Sequence, residues 1–188
     1  ITVLKNQIRK KILKNREIKY SASNEININK ILKIIKKLNI RKTIVGCYYP
    51  VNFEINTKKI MSLLEKKKFT LCLPIIKDNF EMEFYEYKTT DPLYVNKYGI
   101  PEPQIKKKIK PNVLLIPLVA FDKKLNRLGY GGGFYDRFIE KMSKTSLIKI
   151  GLAFSHQRVE KVPVEKFDKK LDFILTEKQI FRAWEFYF

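Results

Sequence analysis

Residues 113–121, Val-Leu-Leu-Ile-Pro-Leu-Val-Ala-Phe, are apolar at every position rather than at every second one. A strand with one wet face alternates, whereas a strand that is apolar throughout has to be covered on both faces. The same short, β-branched or continuously apolar character marks residues 43–48, 69–73, 113–116, 149–153 and 173–175. Between these runs the apolar spacing changes to the helical one. Leu4, Ile8 and Ile12 form a stripe in 3–19, Ile28, Ile31, Leu32, Ile35 and Leu38 in 25–38, and Ile60, Leu63 and Leu64 in 56–67. A further helix is predicted at 134–142. Buried strands alternating with amphipathic helices predict an α/β fold with a mainly parallel sheet. Ser21 to Asn24 is expected to cap the second helix, and Pro74 to stop the strand at 69–73. Glu81 to Tyr87 reads as a strand with one distinct face, 91–111 as loop, 117–133 as one long loop, and 181–186 as an added edge.

The chain is 188 residues long with a net charge of +20. That length suits a single domain over 1–188. The longest apolar run is far short of the roughly 20 residues a bilayer needs, and the basic N-terminus lacks the apolar stretch of a secretion signal. A cytoplasmic monomer is therefore expected. Two cysteines and one histidine, His156, exclude a disulfide framework and any multi-histidine metal motif. The positive charge admits two readings: lysine spread over solvated faces, or attraction to an anion. A basic nucleic-acid-binding α/β protein therefore stands as an alternative.

Four of the seven glycines lie within five positions, Gly129, Gly131, Gly132 and Gly133. Glycine costs conformational entropy, so such a cluster is expected where the backbone turns left-handed or comes close to a ligand. The cluster follows a buried strand and precedes a helix. Ligands bind at that end of a parallel sheet, and free helix N–H groups suit phosphate there. Arg127 and Arg137 supply charge on either side, Tyr130 and Tyr135 supply aromatic walls, and Asp136 falls in the first helical turn. The pattern is neither a Walker A loop nor G-x-G-x-x-G, so it indicates phosphate without naming the reaction.

The segments Val113-Leu114-Leu115-Ile116-Pro117-Leu118-Val119-Ala120-Phe121-Asp122 and Asn126-Arg127-Leu128-Gly129-Tyr130-Gly131-Gly132-Gly133-Phe134-Tyr135-Asp136-Arg137 resemble the signature of the 5-formyltetrahydrofolate cyclo-ligase family. The likeness extends to Lys5 and Arg9, to Tyr49 and Glu54 within Tyr49 through Thr57, to Tyr98-Gly-Ile-Pro-Glu-Pro, and to Ala153-Phe154, Gln157, Val162-Pro163-Val164, Asp168 and Leu171-Asp172. It implies a three-layer α/β sandwich and an ATP- and Mg²⁺-dependent closure of 5-formyltetrahydrofolate, monoglutamyl or polyglutamylated, to 5,10-methenyltetrahydrofolate.

By position, the resemblance assigns Lys5, Arg9, Arg127, Leu128, Gly129, Tyr130, Gly131, Gly132, Gly133, Phe134 and Tyr135 to ATP. It assigns Tyr49, Glu54 and the stretch Tyr130 to Phe134 to the folate, with Tyr98 and Glu102 as further candidates. Asp136 and Asp172 are assigned to Mg²⁺, and Arg127, Tyr130 and Tyr135 to the reacting centre. Gly132 departs from members that carry a basic residue there, and Phe134 from those with tyrosine. No nucleophile set of serine or cysteine with histidine is visible. That fits a phosphoryl transfer, in which a protein mainly aligns ligands and offsets charge. An ATP-dependent enzyme on another small anionic substrate is the second alternative.

Overall fold

The computed structural model describes residues 1–183. Four helices are formed: α1 (Thr2–Lys19), α2 (Ile28–Lys37), α3 (Thr57–Lys66) and α4 (Phe134–Lys141). The strands, in chain order, are β1 (Ile44–Gly46), β2 (Thr70–Ile76), β3 (Met82–Tyr87), β4 (Leu93–Val95), β5 (Pro101–Pro103), β6 (Val113–Pro117), β7 (Ala120–Phe121), β8 (Arg127–Leu128), β9 (Ile148–Leu152), β10 (Phe173–Leu175) and β11 (Ile180–Arg182).

Seven of these strands make one sheet in the order β11-β10-β9-β6-β1-β2-β3. Its five inner strands are parallel, and β3 and β11 close the two edges antiparallel. Strand β6 explains its own sequence. Val113 and Leu115 face a core shared with Ile31, Ile34 and Ile35 of α2 and Ile60, Met61 and Leu64 of α3. Leu114 and Ile116 face a second core with Phe138 and Ile139 of α4 and with Met142, which caps that helix. These four β6 side chains are fully buried. Helices thus cover both faces of the sheet, giving the three layers expected of the fold. Phe84 lies in the second core, 1% exposed, tilted against Phe138.

The chain builds from β1 toward β3 on one side and from β6 toward β10 on the other. The order therefore reverses between β1 and β6, and the carboxyl ends of these two strands bound the crevice where a parallel sheet binds ligands.

Several local readings change. Pro74 lies inside β2 and does not end it. The Cys72 carbonyl accepts from Cys47 N toward β1, so two residues on Pro74 turns the same way, past the end of β1, where a missing N–H leaves no gap. The long loop to Gly133 contains the β7–β8 ladder, closed by Asp122, which accepts from the backbone N–H of Lys124, Asn126 and Val162. Residues 91–111 contain the β4–β5 hairpin, and 107–109 pair along the outer side of β3. The cap of α2 is Asn27, not the Ser21–Asn24 break, and Asn56 caps α3. The predicted C-terminal edge is β11; residues 184–186 of that reading lie outside the described residues.

Helix α1 corrects the largest expectation. Ile12 is buried with Ile8 packed beside it, as the stripe predicts, but Leu4 is 50% exposed, and the helix also buries Lys5 and Arg16. Among the described residues no helix is long and apolar enough to cross a membrane.

Gly151 in β9 is tightly packed. A methyl there meets Leu171 Cδ1 at 2.6 Å and Leu118 Cδ2 at 2.8 Å. Gly151→Ala is expected to cost about 1–3 kcal/mol, as overpacked cores do. Urea unfolding should show a lower midpoint with unchanged slope; an unchanged midpoint would mean that the site yields freely.

Candidate active site

The glycine loop runs from β8 to α4. Gly131 and Gly133 have φ of 107° and 67°, left-handed values that disfavour a side chain. Gly132 has a different reason: a Cβ would lie 2.5 Å from Phe134 Cε2, so the ring occupies the space of any larger residue at 132. Gly131 and Gly132 are exposed. Helix α4 opens on Gly133 with no side-chain cap, whereas α2 and α3 each have an asparagine. The positive end of α4 thus meets solvent beside open glycine backbone, and this combination suits an anion.

Basic side chains flank the loop. Arg9 Nε donates to Gly129 O at 2.8 Å, and a Cβ on Gly131 would lie 3.5 Å from Arg9 Cζ. Arg137 donates to the carbonyls of Gly132 (2.8 Å) and Phe80 (2.9 Å) and lies over the Phe134 ring, tying the loop to the β2–β3 turn. Lys5 is only 6% exposed and is held by Glu165 (2.8 Å) and Asp168 (2.5 Å). Burial works against its charge, but the two carboxylates outweigh it and raise its pKa above the ordinary lysine value. Lys5 thus borders the loop region while already paired.

Arg127 is buried. It pairs with Asp136 at 3.0 Å and lies over the Tyr135 ring, and its Nε has no hydrogen-bond partner among the described residues. Asp136 also accepts from Lys169 N at 3.0 Å. Asp172 accepts from Lys149 N (2.7 Å) and pairs with Lys149 Nζ (3.1 Å), just ahead of β10. The two expected metal carboxylates are therefore committed to different cationic partners, and no cluster of three or more His, Cys, Asp or Glu exists among the described residues.

The folate candidates divide into three groups. Glu54 is 5% exposed; its Oε2 accepts from Val51 N (2.8 Å) and its Oε1 from the Tyr130 hydroxyl (2.8 Å). Burial raises the pKa of Glu54 to about 6, although Val51 N, the Tyr130 hydroxyl and Arg16 counteract it. Tyr98 and Phe134 meet edge to face at 6.1 Å, forming an aromatic wall beside the loop. Glu102 accepts from Ile76 N and Asn96 Nδ2, and Asn96 in turn accepts from Tyr98 N, so Glu102 fixes the turn that carries Tyr98. Tyr49 packs under Lys58 Nζ at 4.8 Å. Burial also pushes the hydroxyls of Tyr130 and Tyr135 far up, so both remain neutral donors.

One residue was missed by the apolar reading of α1. Arg16, 1% exposed, donates to Tyr130 Oη (2.5 Å), Asn52 O (2.6 Å) and Leu118 O (3.3 Å). Its sequence signal was spacing: Lys5, Arg9, Ile12 and Arg16 are separated by 4, 3 and 4 residues, which is one helix face. Asn52 and Phe53, beside it, both have positive φ (49° and 59°), strain of about 1–2 kcal/mol per residue that neighbouring contacts must hold in place. Two cavities lie elsewhere, about 490 Å³ around Pro111 and Met142 and about 360 Å³ around His156 and Lys178.

The raised pKa of Glu54 sets a stability trend. Its folded value of about 6 exceeds the ordinary 4.5, so between those pH values the folded chain binds more protons than the unfolded one. Stability should therefore fall as pH rises from about 4.5 to about 6, with Glu54 contributing about 2 kcal/mol. Denaturant unfolding of the protein and of Glu54→Gln across that range checks it: the gap between them should change by that amount, and a constant gap would contradict it.

The sequence model of the 5-formyltetrahydrofolate cyclo-ligase family matches residues 1–177. A 5-formyltetrahydrofolate cyclo-ligase of Haemophilus influenzae is 37% identical over 139 residues, 70% of this chain and 74% of that one. One of Mycoplasma genitalium is 31% identical over 178 residues, covering 91% and 96%. The NMR structure of Aquifex aeolicus 5,10-methenyltetrahydrofolate synthetase superposes with a TM-score of 0.74 at 29% identity, over 95% of this chain and 92% of that one. The glycine loop, its flanking cations and the sheet that carries them thus sit in a chain matched almost throughout, and that chain belongs to the 5-formyltetrahydrofolate cyclo-ligase family.

Proposed function

We propose that this chain closes 5-formyltetrahydrofolate to 5,10-methenyltetrahydrofolate at the expense of ATP. The observation that carries the reading is the juxtaposition of two unlike surfaces. An open, uncapped glycine backbone beside Arg9 suits phosphate, and the Tyr98–Phe134 wall next to it suits a flat ring. ATP supplies a phosphoryl group that turns the formyl oxygen into a leaving group when N10 attacks the formyl carbon.

The protein's part is alignment. Backbone N–H groups at the start of α4 and the Arg9 guanidinium hold phosphate oxygens. Tyr98 and Phe134 orient the pteridine, and the Tyr130 ring, 41% exposed with its hydroxyl anchored on Glu54, separates the two ligands. Lys5 reaches phosphate only by exchanging Glu165 and Asp168. The Glu54 carboxylate accepts the Tyr130 hydroxyl proton and so fixes the orientation of that ring.

Asp136 and Asp172 do not fit a shared Mg²⁺ in this arrangement, because each carboxylate is already offset by a cation and the two have separate partners.

Two measurements test the reading. Purified protein with ATP, Mg²⁺ and 5-formyltetrahydrofolate should develop the methenyl absorbance only when nucleotide and folate are both present; nucleotide hydrolysis at equal rate without folate would point to another substrate. Arg9→Ala should raise the KM for ATP by about 10- to 100-fold, the loss of one or two charge-assisted hydrogen bonds, with the fold intact by circular dichroism. An unaltered KM would remove Arg9 from the nucleotide site.

A further inference from the structure

We infer that Arg16, which acts through Tyr130 and the loop backbone, is a positioning residue that sets the nucleotide loop and the folate loop relative to each other. The inference rests on the function proposed above. A guanidinium this deeply buried is costly unless its donors are met. Its acceptors come from three separate segments: Leu118 just past β6, Asn52 in the loop after β1, and Tyr130 in the glycine loop. These are the two sides of the crevice where the strand order reverses.

The bonds have a direction. Arg16 Nη2 donates to Tyr130 Oη, and Tyr130 Oη donates its proton to Glu54 Oε1. One guanidinium therefore fixes the tyrosine rotor, and through it the carboxylate of the other loop. The same Nη2 also donates to the carbonyl of Asn52, the first of two consecutive residues in left-handed backbone. Lysine cannot reproduce this, since a single ammonium does not reach acceptors fanned across a planar fork. Arg16 Nε has no hydrogen-bond partner among the described residues; the donors that are met reach Leu118, Asn52 and Tyr130.

Glu54 provides a readout independent of turnover. The groups facing it are Arg16 from α1, Tyr48 from the end of β1, Tyr130 from the glycine loop and Tyr135 from α4. Arg16 is the only cation among these four. Replacing it with methionine keeps volume and removes charge, so the Glu54 midpoint should rise above about 6 in a carbon-13 NMR titration of glutamate side chains. Arg16→Lys should leave that midpoint near its original value.

The experiment compares Arg16→Met, Arg16→Lys, Tyr130→Phe and the Arg16→Met/Tyr130→Phe double variant. Expected is a fall in kcat of about 10²-fold in both Arg16 variants, the scale of a misplacement of about 1 Å, with smaller changes in either KM. The double variant should lose no more than the worse single variant, because the Arg16–Tyr130 bond is already lost in either one. Folded Arg16→Lys with unchanged kcat, or a double variant whose loss equals the product of the two single losses, overturns the inference. If Arg16→Met does not fold, Arg16→Lys decides the kinetic question alone. If the protein itself does not turn over formyltetrahydrofolate, the proposed function fails. The titration then still decides: an unmoved Glu54 midpoint in Arg16→Met removes the link between these loops.

Discussion

Strand β6 has no face toward water, and its neighbours follow from that. Val113 and Leu115 require α2 and α3 on one side, while Leu114 and Ile116 require α4 on the other. A parallel strand buried this way needs crossover helices, and those crossovers return every connection to the same end of the sheet. The loops after β1 and β6 are therefore neighbours whatever their sequence. The hydrophobic effect selects the place of the crevice before any polar residue shapes it. With Val113, Leu114, Leu115 and Ile116 all removed from water, the strand is also the rigid floor against which small loop displacements are resisted.

Above that floor the polar organisation reverses the usual arrangement. Helix α1 brings cations inward, Lys5, Arg9 and Arg16, onto loops that offer carbonyls, carboxylates and a hydroxyl. Charge that would repel itself on a chain of +20 is used as internal mortar at the carboxyl end. Lys5 secures the 163–168 segment, Arg9 the glycine loop, and Arg16 the 50–54 loop. Each bond is charge-assisted, and the buried ones are little screened by salt. The glycine loop thus remains open in its backbone but constrained at Gly129, Tyr130 and Gly132, where side chains from α1 and α4 hold its carbonyls and hydroxyl.

What the sequence disclosed depended on how local the cause was. Inner strands and α2 to α4 were legible because burial imposes a period that neighbouring residues share. The β4–β5 and β7–β8 ladders were not, since two or three residues carry no period and their pairing depends on partners such as Glu102 and Asp122. Pro74 misled because a rule against proline in strands holds only where a neighbour needs the N–H. Arg16 is not legible in the apolar stripe of α1, because a buried cation carries no apolar signal. The aspartates were legible as residue types, yet their partners, Arg127 and Lys149, come from distant segments that spacing does not relate to them.

The segment 107–109 along β3 has a consequence for how molecules meet. Lys107 O accepts from Glu86 N, and Ile109 N donates to Phe84 O, so the outer row of β3 is occupied along that stretch by the chain itself. An uncovered edge strand recruits further strands and leads toward fibrous stacking. Here a loop of three residues, two of them lysines, acts as a selvedge: it finishes the woven sheet and leaves an approaching copy a charged hem instead of free amides.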